Sequence, residues 1–242
     1  MAAQSTRVEL VPGWILDDEH HTVLSERAMR KVDPVKHEEK RREILEAAWR
    51  CFVRQGFHGA STAQICSEAG VSSGHLYHYF DSKEAIVAAM VEIQLAHAMA
   101  RYRGLMESPD PIRALIEDMK APKTPKEVTS HTMQFDMLAE ARRNPVLAKI
   151  VHDSHRQIQE LLSELLHQAQ QDGRIDPTLD PGLAAMLLLG IHDSTKSTAL
   201  RFPNADAKKS AELVEIMLTR FLMPSPAKAK STGSPGRKTK AR

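Results

Sequence analysis

The sequence predicts an all-α fold, and three observations carry that prediction. Residues 61–80, S-T-A-Q-I-C-S-E-A-G-V-S-S-G-H-L-Y-H-Y-F, read as two short capped helices joined by a tight turn. Upstream, Ile44, Ala48, Cys51 and Phe52 form the i, i+4, i+7, i+8 stripe of a longer helix. Downstream, Leu147, Ile150, Val151, Ser154, Ile158, Leu161, Leu162 and Leu165 keep a helical spacing over a long segment.

In chain order, residues 1–36 contain Trp14-Ile15-Leu16, Asp17-Asp18-Glu19 and His20-His21 without a clear period, and read as an N-terminal extension. The first helix ends at Gly56. Ser61 and Gln64 then make a capping box, the hydroxyl taking the Gln64 N–H while the Gln amide reaches back. Ile65 and Ala69 share the inner face of this second helix, and Gly70 ends it in a left-handed conformation. Val71 plugs the turn and Ser72 caps a third helix. There Leu76 and Phe80 face inward, and Ser73, Gly74, His75 and His78 form a polar leading edge. A mini-core with such an edge is how a helix-turn-helix enters the major groove. Leu76 and Phe80 alone also suit a plain helical hairpin, with Tyr77 and Tyr79 as ordinary core aromatics.

Three segments carry a resemblance: R-x-x-I-L-x-A-A from Arg41, the helix end Phe52…Gly56-Phe57, and A-G-V-S-x-G-x-L-Y-x-Y-F-x-x-K from Ala69 to Lys83. They resemble TetR-family transcriptional regulators of the AcrR type, closely over residues 38–98 and loosely beyond. The resemblance implies an N-terminal three-helix helix-turn-helix DNA-binding domain over 37–83, with its motif at 61–80, and a larger C-terminal helical ligand-binding and dimerisation domain over 84–223. It implies a homodimer on a palindromic double-stranded DNA operator, a small-molecule effector, no cofactor, and a cytoplasmic, nucleoid-associated protein. On matching positions, Ser61 and Thr62 would touch phosphate, Ser73, Gly74 and His75 would meet base edges, and Tyr77, His78, Tyr79 and Lys83 would grip the backbone, His78 also reaching bases. Hydroxyls and helix N-terminal N–H groups suit an anion, Gly74 permits close approach, and Lys83 adds a salt-sensitive point charge. Ala63 stands where some relatives carry a longer base-reading side chain, so readout is expected to rest partly on His75, His78 and DNA shape.

Composition bounds the rest. A chain of 242 residues suits a small domain plus a larger one, and a net charge of +2 excludes a generally basic coat for nucleic acid. Cys51 and Cys66 fall on apolar helix faces and read as small buried thiols. No signal peptide, membrane-length apolar run, G-x-S-x-G, H-E-x-x-H, phosphate loop or paired-cysteine motif is present, so neither an enzyme nor a membrane protein is expected. Family members commonly begin shortly before their first helix, and Met29-Arg30-Lys31 supplies such a start; otherwise Arg27, Arg30, Lys31 and Lys36 form either a minor-groove arm or a solvated linker. Residues 224–242 hold six basic residues and no acid, and are expected to be disordered; without them the chain is near −4.

The second domain reads as helical throughout. A helix from Ser82 carries Ile86, Met90, Ile93, His97 and Ala100 on one stripe; Pro109, Pro111, Pro122 and Pro125 mark breaks. Helices follow at about 112–120, 125–143, 145–172, 181–201 and 206–222. Leu183, Leu187, Gly190 and Ile191 are expected to pack on Leu213, Ile216, Met217 and Phe221 of the last helix and on a twofold partner, in the family's four-helix dimer bundle; the core of a monomer is the alternative. Met133, Gln134, Phe135, Met137 and Leu138, with His97, His131 and Glu140, are candidates for an adaptable pocket, or for plain core. His152 and His155, with Asp153, have a spacing that can chelate metal, but the sequence places no third ligand, and they read as a solvated helix face with no metal. His192-Asp193 belongs to the dimer seam or the pocket. The function expected is a ligand-responsive repressor; an activator, or a helical small-molecule-binding protein without DNA binding, is the alternative.

Overall fold

Short polar side chains set where the helices start. In the computed structural model, which describes residues 33–121 and 125–223 apart from the side chains of 125–128, 130, 131, 199 and 200, nine α-helices and no strand occur among the described residues. They are α1 (Pro34–Gly59), α2 (Thr62–Ala69), α3 (Ser73–Tyr79), α4 (Lys83–Met106), α5 (Pro111–Lys120), α6 (Pro125–Ala141), α7 (Pro145–Gln171), α8 (Pro181–Arg201) and α9 (Ala207–Leu222). Asp33, Ser61, Ser72, Ser82, Asp110, Asn144, Asp180 and Asp206 cap eight of them by accepting a first-turn N–H. In α1, α5, α7 and α8 a proline follows the cap, where its missing N–H costs nothing. The expected start at Met29, the arm residues Arg27, Arg30 and Lys31, and the basic tail lie outside the described residues.

Two apolar cores stack along the molecule, and α4 and α7 run through both. The first joins α1, α2 and α3 to the beginning of α4, to Met133 and Met137 of α6, and to Leu147 and Val151 of α7. Trp49 and Phe52 are its largest fully buried side chains, each contributing about 2–3 kcal/mol of transfer free energy. The second gathers Tyr102, the inner face of α5, Leu161 to Ala169 of α7, Ile175, Ala184, Ala185 and Leu188 of α8, and Leu218 and Leu222 of α9. Because α4 packs along α7 between the two, a shift of either helix is felt at both ends.

The N-terminal unit is also tied to α6 and α7 directly. Gly56 interrupts α1 at φ +69, ψ 171, and Asp136 Oδ2 of α6 stands 3.8 Å from where a β-carbon on it would lie. His58 Nδ1 is 3.9 Å from Glu140 Oε1, and Asn144 Nδ2 donates to Glu84 Oε1 at 3.0 Å.

Some expectations change. Helix α1 starts at Pro34, inside the expected extension, because Asp33 and Pro34 form a start signal. On α4 Ala100 is exposed and Tyr102 is buried, since the helix turns its second half toward α5 rather than keeping one stripe. The last helix uses Leu218 and Leu222, not Leu213, Ile216 and Met217, to reach its own protomer; those three remain 65, 46 and 43% exposed and do not cover α8. Ion pairs of Glu215 with Lys120 and Arg113 hold α9 on α5 instead.

Candidate nucleic-acid interface

The unit that presents α3 is rigid for local reasons. Ser61 N–H donates to Gln64 Oε1 at 2.8 Å and Gln64 N–H to Ser61 Oγ at 3.2 Å, so the capping box is complete. Gly70 adopts φ +63, and the Val71 N–H bonds back to the Cys66 carbonyl at 3.0 Å. Ser72 Oγ accepts from the His75 N–H at 3.2 Å, starting α3 one turn before its buried Leu76. Glu68 locks α2 onto α1 by accepting from Arg50 at 2.7 Å and Arg54 at 2.5 Å. Those hydrogen bonds, from Arg50 first and then Arg54, hold its carboxyl below the usual range.

On this frame Ser61, Ser73, Gly74, His75, Tyr77 and His78 are exposed together, while Thr62, Tyr79 and Lys83 are half-buried. Tyr77 is 50% exposed, so the alternative of a core aromatic does not apply to it. Nothing lies within 4 Å of a β-carbon built on Gly74. Tyr79 is instead the centre of an aromatic cluster, with ring centroids of His37, His75 and His78 at 4.6, 5.4 and 5.3 Å. His37, in the first turns of α1, is a residue that sequence reasoning missed. Its relation to Tyr79 is a tertiary contact that no local spacing signals.

Lys83 is committed inward. Its Nζ donates to the carbonyls of Phe57 at 2.8 Å and Ala60 at 3.0 Å, and burial pushes its pKa below the ordinary lysine value. An ammonium has three donors, and these two carbonyls use two of them. Cys51 and Cys66 are free and buried, and burial raises the Cys51 thiol.

A small, partly open cleft lies between α4, α6 and α7. Met133, Gln134, Met137 and Leu138 line it as the sequence suggested, together with Val87, Met90, Val91, Gln94, Val151, Ser154 and His155. Phe135 is not among its lining residues, because the lining face of α6 is the one carrying Met133 and Met137, and neither is His97, since α4 contributes Val87, Met90, Val91 and Gln94. The His131 side chain lies outside the description. His152 and His155 are exposed, as expected of a solvated face, with His155 at the edge of the cleft, and Asp153 pairs with Lys149 and Arg156. No group of three or more His, Cys, Asp or Glu suited to a metal occurs among the described residues.

At the far end, Leu183, Met186 and Leu187 of α8 are 59, 50 and 51% exposed beside an unobstructed Gly190. They and the outward residues of α9 are apolar and uncovered in the protomer. Ile191 and Phe221 are half-buried against the second core, and His192 is buried in the protomer at 3% exposure.

Comparison with known proteins matches this architecture at both ends. Residues 44–90 fit the model for bacterial regulatory proteins of the tetR family, and residues 110–222 that for the C-terminal region of BetI-type transcriptional repressors. The HTH-type transcriptional regulator UidR of Escherichia coli K12 is 32% identical over 151 residues, covering 62% of this chain and 76% of that protein. The HTH-type transcriptional repressor KstR2 of Mycobacterium tuberculosis is 29% identical over 148 residues, covering 60% and 73%. Among solved structures, Salmonella enterica GusR superposes with a TM-score of 0.68 at 28% identity, covering 80% of this chain and 99% of that one. The capped pair α2–α3, with its small, exposed leading edge, is thus found in a sequence and a fold shared with DNA-binding regulators along most of its length, and the chain belongs to the TetR family of bacterial transcriptional regulators.

Proposed function

We propose that this regulator is a ligand-responsive repressor that binds a palindromic operator as a homodimer. The observation that carries the reading is the continuity of the first core. Ile65 and Leu76 under the reading helix belong to the same packed cluster as Met90, Met133, Met137 and Val151 of the cleft. A molecule that fits the cleft better in one arrangement of α4, α6 and α7 shifts the population toward it. Through Gly56, His58 and Glu84, which meet Asp136, Glu140 and Asn144, such a shift re-aims α3. DNA affinity and ligand affinity then fall and rise reciprocally.

In this reading Ser61 and Thr62 contact phosphate, Ser73, Gly74 and His75 meet base edges, and Tyr77, His78, Tyr79 and the remaining donor of Lys83 hold the backbone. The apolar residues of α8 and α9 form the dimer seam, holding two copies of α3 about 34 Å apart for successive major grooves. The protein itself carries out no chemistry and needs no cofactor. Fluorescence-anisotropy titration against the DNA upstream of its own gene, at low and raised salt, tests the reading. Saturable binding two chains at a time to a symmetric site, weakening with salt, is expected. Equal binding to scrambled DNA would overturn it.

A further inference from the structure

Resting on the reading of α3 as the DNA-contacting helix, we infer that the operator binds a protonated form of the His37, His75 and His78 cluster, so that DNA binding takes up protons and tightens as pH falls. Three imidazoles surround one aromatic side chain. The ring centroids of His37, His75 and His78 lie 4.6, 5.4 and 5.3 Å from that of Tyr79, and those of His37 and His78 lie 5.9 Å apart, edge to face. His75 and His78 are exposed on α3, and His37 is half-buried at the start of α1, so the cluster joins two helices and exchanges protons with solvent. A phosphate held by the Tyr79 hydroxyl lies on the order of 10 Å or less from each of these rings, within the screening length at 0.1 M salt.

Neutralising phosphate charge dominates affinity for the DNA backbone. In the proposed contact set the permanent cation is Lys83, whose ammonium already donates to the Phe57 and Ala60 carbonyls. The cations beside His37 on α1 face acids: Lys36 meets Asp33 at 4.0 Å, Arg41 meets Glu38 at 3.2 Å, Arg42 meets Glu46 at 3.9 Å, and Lys40 pairs with Glu43. Arg41 also lies over the Phe80 ring at 5.5 Å. From α2, Glu68 is held by Arg50 and Arg54, and the Cys66 thiol is buried 4.0 Å from Ser73 Oγ. Asp81, between α3 and α4, is exposed. The acids favour a charged imidazole and the cations oppose it, so the incoming phosphates decide the sign. Histidine is the side chain whose charge ordinarily changes between about pH 5 and 8, and a phosphate favours the cationic form. The DNA-bound state therefore holds more protons than the free one, and by linkage acid raises affinity for DNA.

The test is calorimetric titration of the full chain with the duplex from upstream of its own gene, in MOPS and in imidazole buffer at constant salt. The dependence of the heat on buffer ionisation counts the protons exchanged. Uptake of about one proton per chain near pH 7 is expected, with affinity rising at least about tenfold from pH 8 to pH 6. His37→Gln keeps a polar side chain that cannot take up the proton. It should lower the proton count and flatten the affinity profile without moving the melting temperature, whereas a His37 that only props Tyr79 would lower affinity equally at both pH values. His75→Gln and His78→Gln should flatten the profile too, and His152→Gln, on the exposed face of α7, should keep the parental one. Specific binding with no proton uptake, or a profile that all three cluster variants leave unchanged, overturns the proton linkage and leaves the DNA-binding reading standing. If the chain binds neither this duplex nor a scrambled one at either pH, both readings fall.

Discussion

The ammonium of Lys83 lies 4.2 Å from the centre of the Phe57 ring and donates to the carbonyl oxygen of that same residue at 2.8 Å. One side chain at the start of α4 thereby closes the far end of α1. Lys83→Met is expected to remove two charged hydrogen bonds and leave the Phe57 and Ala60 carbonyls unpaired, lowering stability by about 1–2 kcal/mol. Urea denaturation of the intact chain measures this. With two donors turned inward, the same variant should change the salt slope of DNA binding by less than the full unit expected for a free phosphate-binding lysine.

Glu68 makes a pH-dependent contribution whose sign follows from its partners. Hydrogen bonds from Arg50 and Arg54 depress its folded-state pKa below the ordinary 4.5. The unfolded chain consequently takes up this proton first as pH falls. The stabilisation is complete above 4.5 and is lost as pH drops through the folded-state value. Glu68→Gln should be less stable at neutral pH by about 1 kcal/mol, because the pair is only partly buried. Its stability should fall less steeply than that of the parent in thermal melts below that pH.

The sequence made the helix framework legible because the signals are local. Ser61 with Gln64, Gly70, and the spacing of Leu147 to Leu165 each act within a turn or two, and the structure places those elements where these residues put them. Asp110-Pro111, Asn144-Pro145 and Asp180-Pro181 are equally local start signals; the expected starts at 145 and 181 are the observed ones, and Asp110-Pro111 would have moved the start at 112 by one residue. What was not legible depends on which surface covers which stripe. Periodicity identifies an apolar face of α9, yet Leu218 and Leu222 go inward while Leu213 and Ile216 stay out. Trp49, fully buried in the first core, is likewise set by packing between distant segments.

His37 should act on DNA binding through Tyr79. Its ring packs on that of the tyrosine at 4.6 Å, tilted by 34°, and ties it to α1. Loss of such an aromatic contact is worth about 0.5–1.5 kcal/mol, so His37→Ala is expected to weaken operator binding by about twofold to tenfold. Circular dichroism and melting temperature should scarcely change. Anisotropy titration that finds parental affinity would show that Tyr79 needs no such support.

The exposed α8 and α9 residues make a prediction about assembly. Leu187→Glu and Leu213→Glu place charges on positions 51 and 65% exposed in the protomer, where folding tolerates them. Each is expected to yield a folded monomer by light scattering and to lose cooperative operator binding, since a single reading head forfeits half of its contacts. A dimer that survives both substitutions would put the seam elsewhere.

Two neighbouring glycines in the reading unit should respond oppositely to the same added methyl group. Gly70 sits at φ +63 with open space around it, so Gly70→Ala introduces backbone strain and no clash. That strain costs about 1–2 kcal/mol in a left-handed conformation, and it falls on stability. Gly74 lies within α3, outside the left-handed region, and also faces open space. Gly74→Ala should therefore raise stability by about 0.5–1 kcal/mol through helix propensity. Its methyl group would nonetheless stand on the leading edge, where the proposed operator contact needs close approach. The expected pattern is a less stable protein with near-parental DNA affinity for Gly70→Ala, and a more stable protein with weakened affinity for Gly74→Ala. Chemical denaturation and anisotropy on the same two preparations resolve it. If Gly74→Ala kept full affinity, α3 would not approach the groove along this edge.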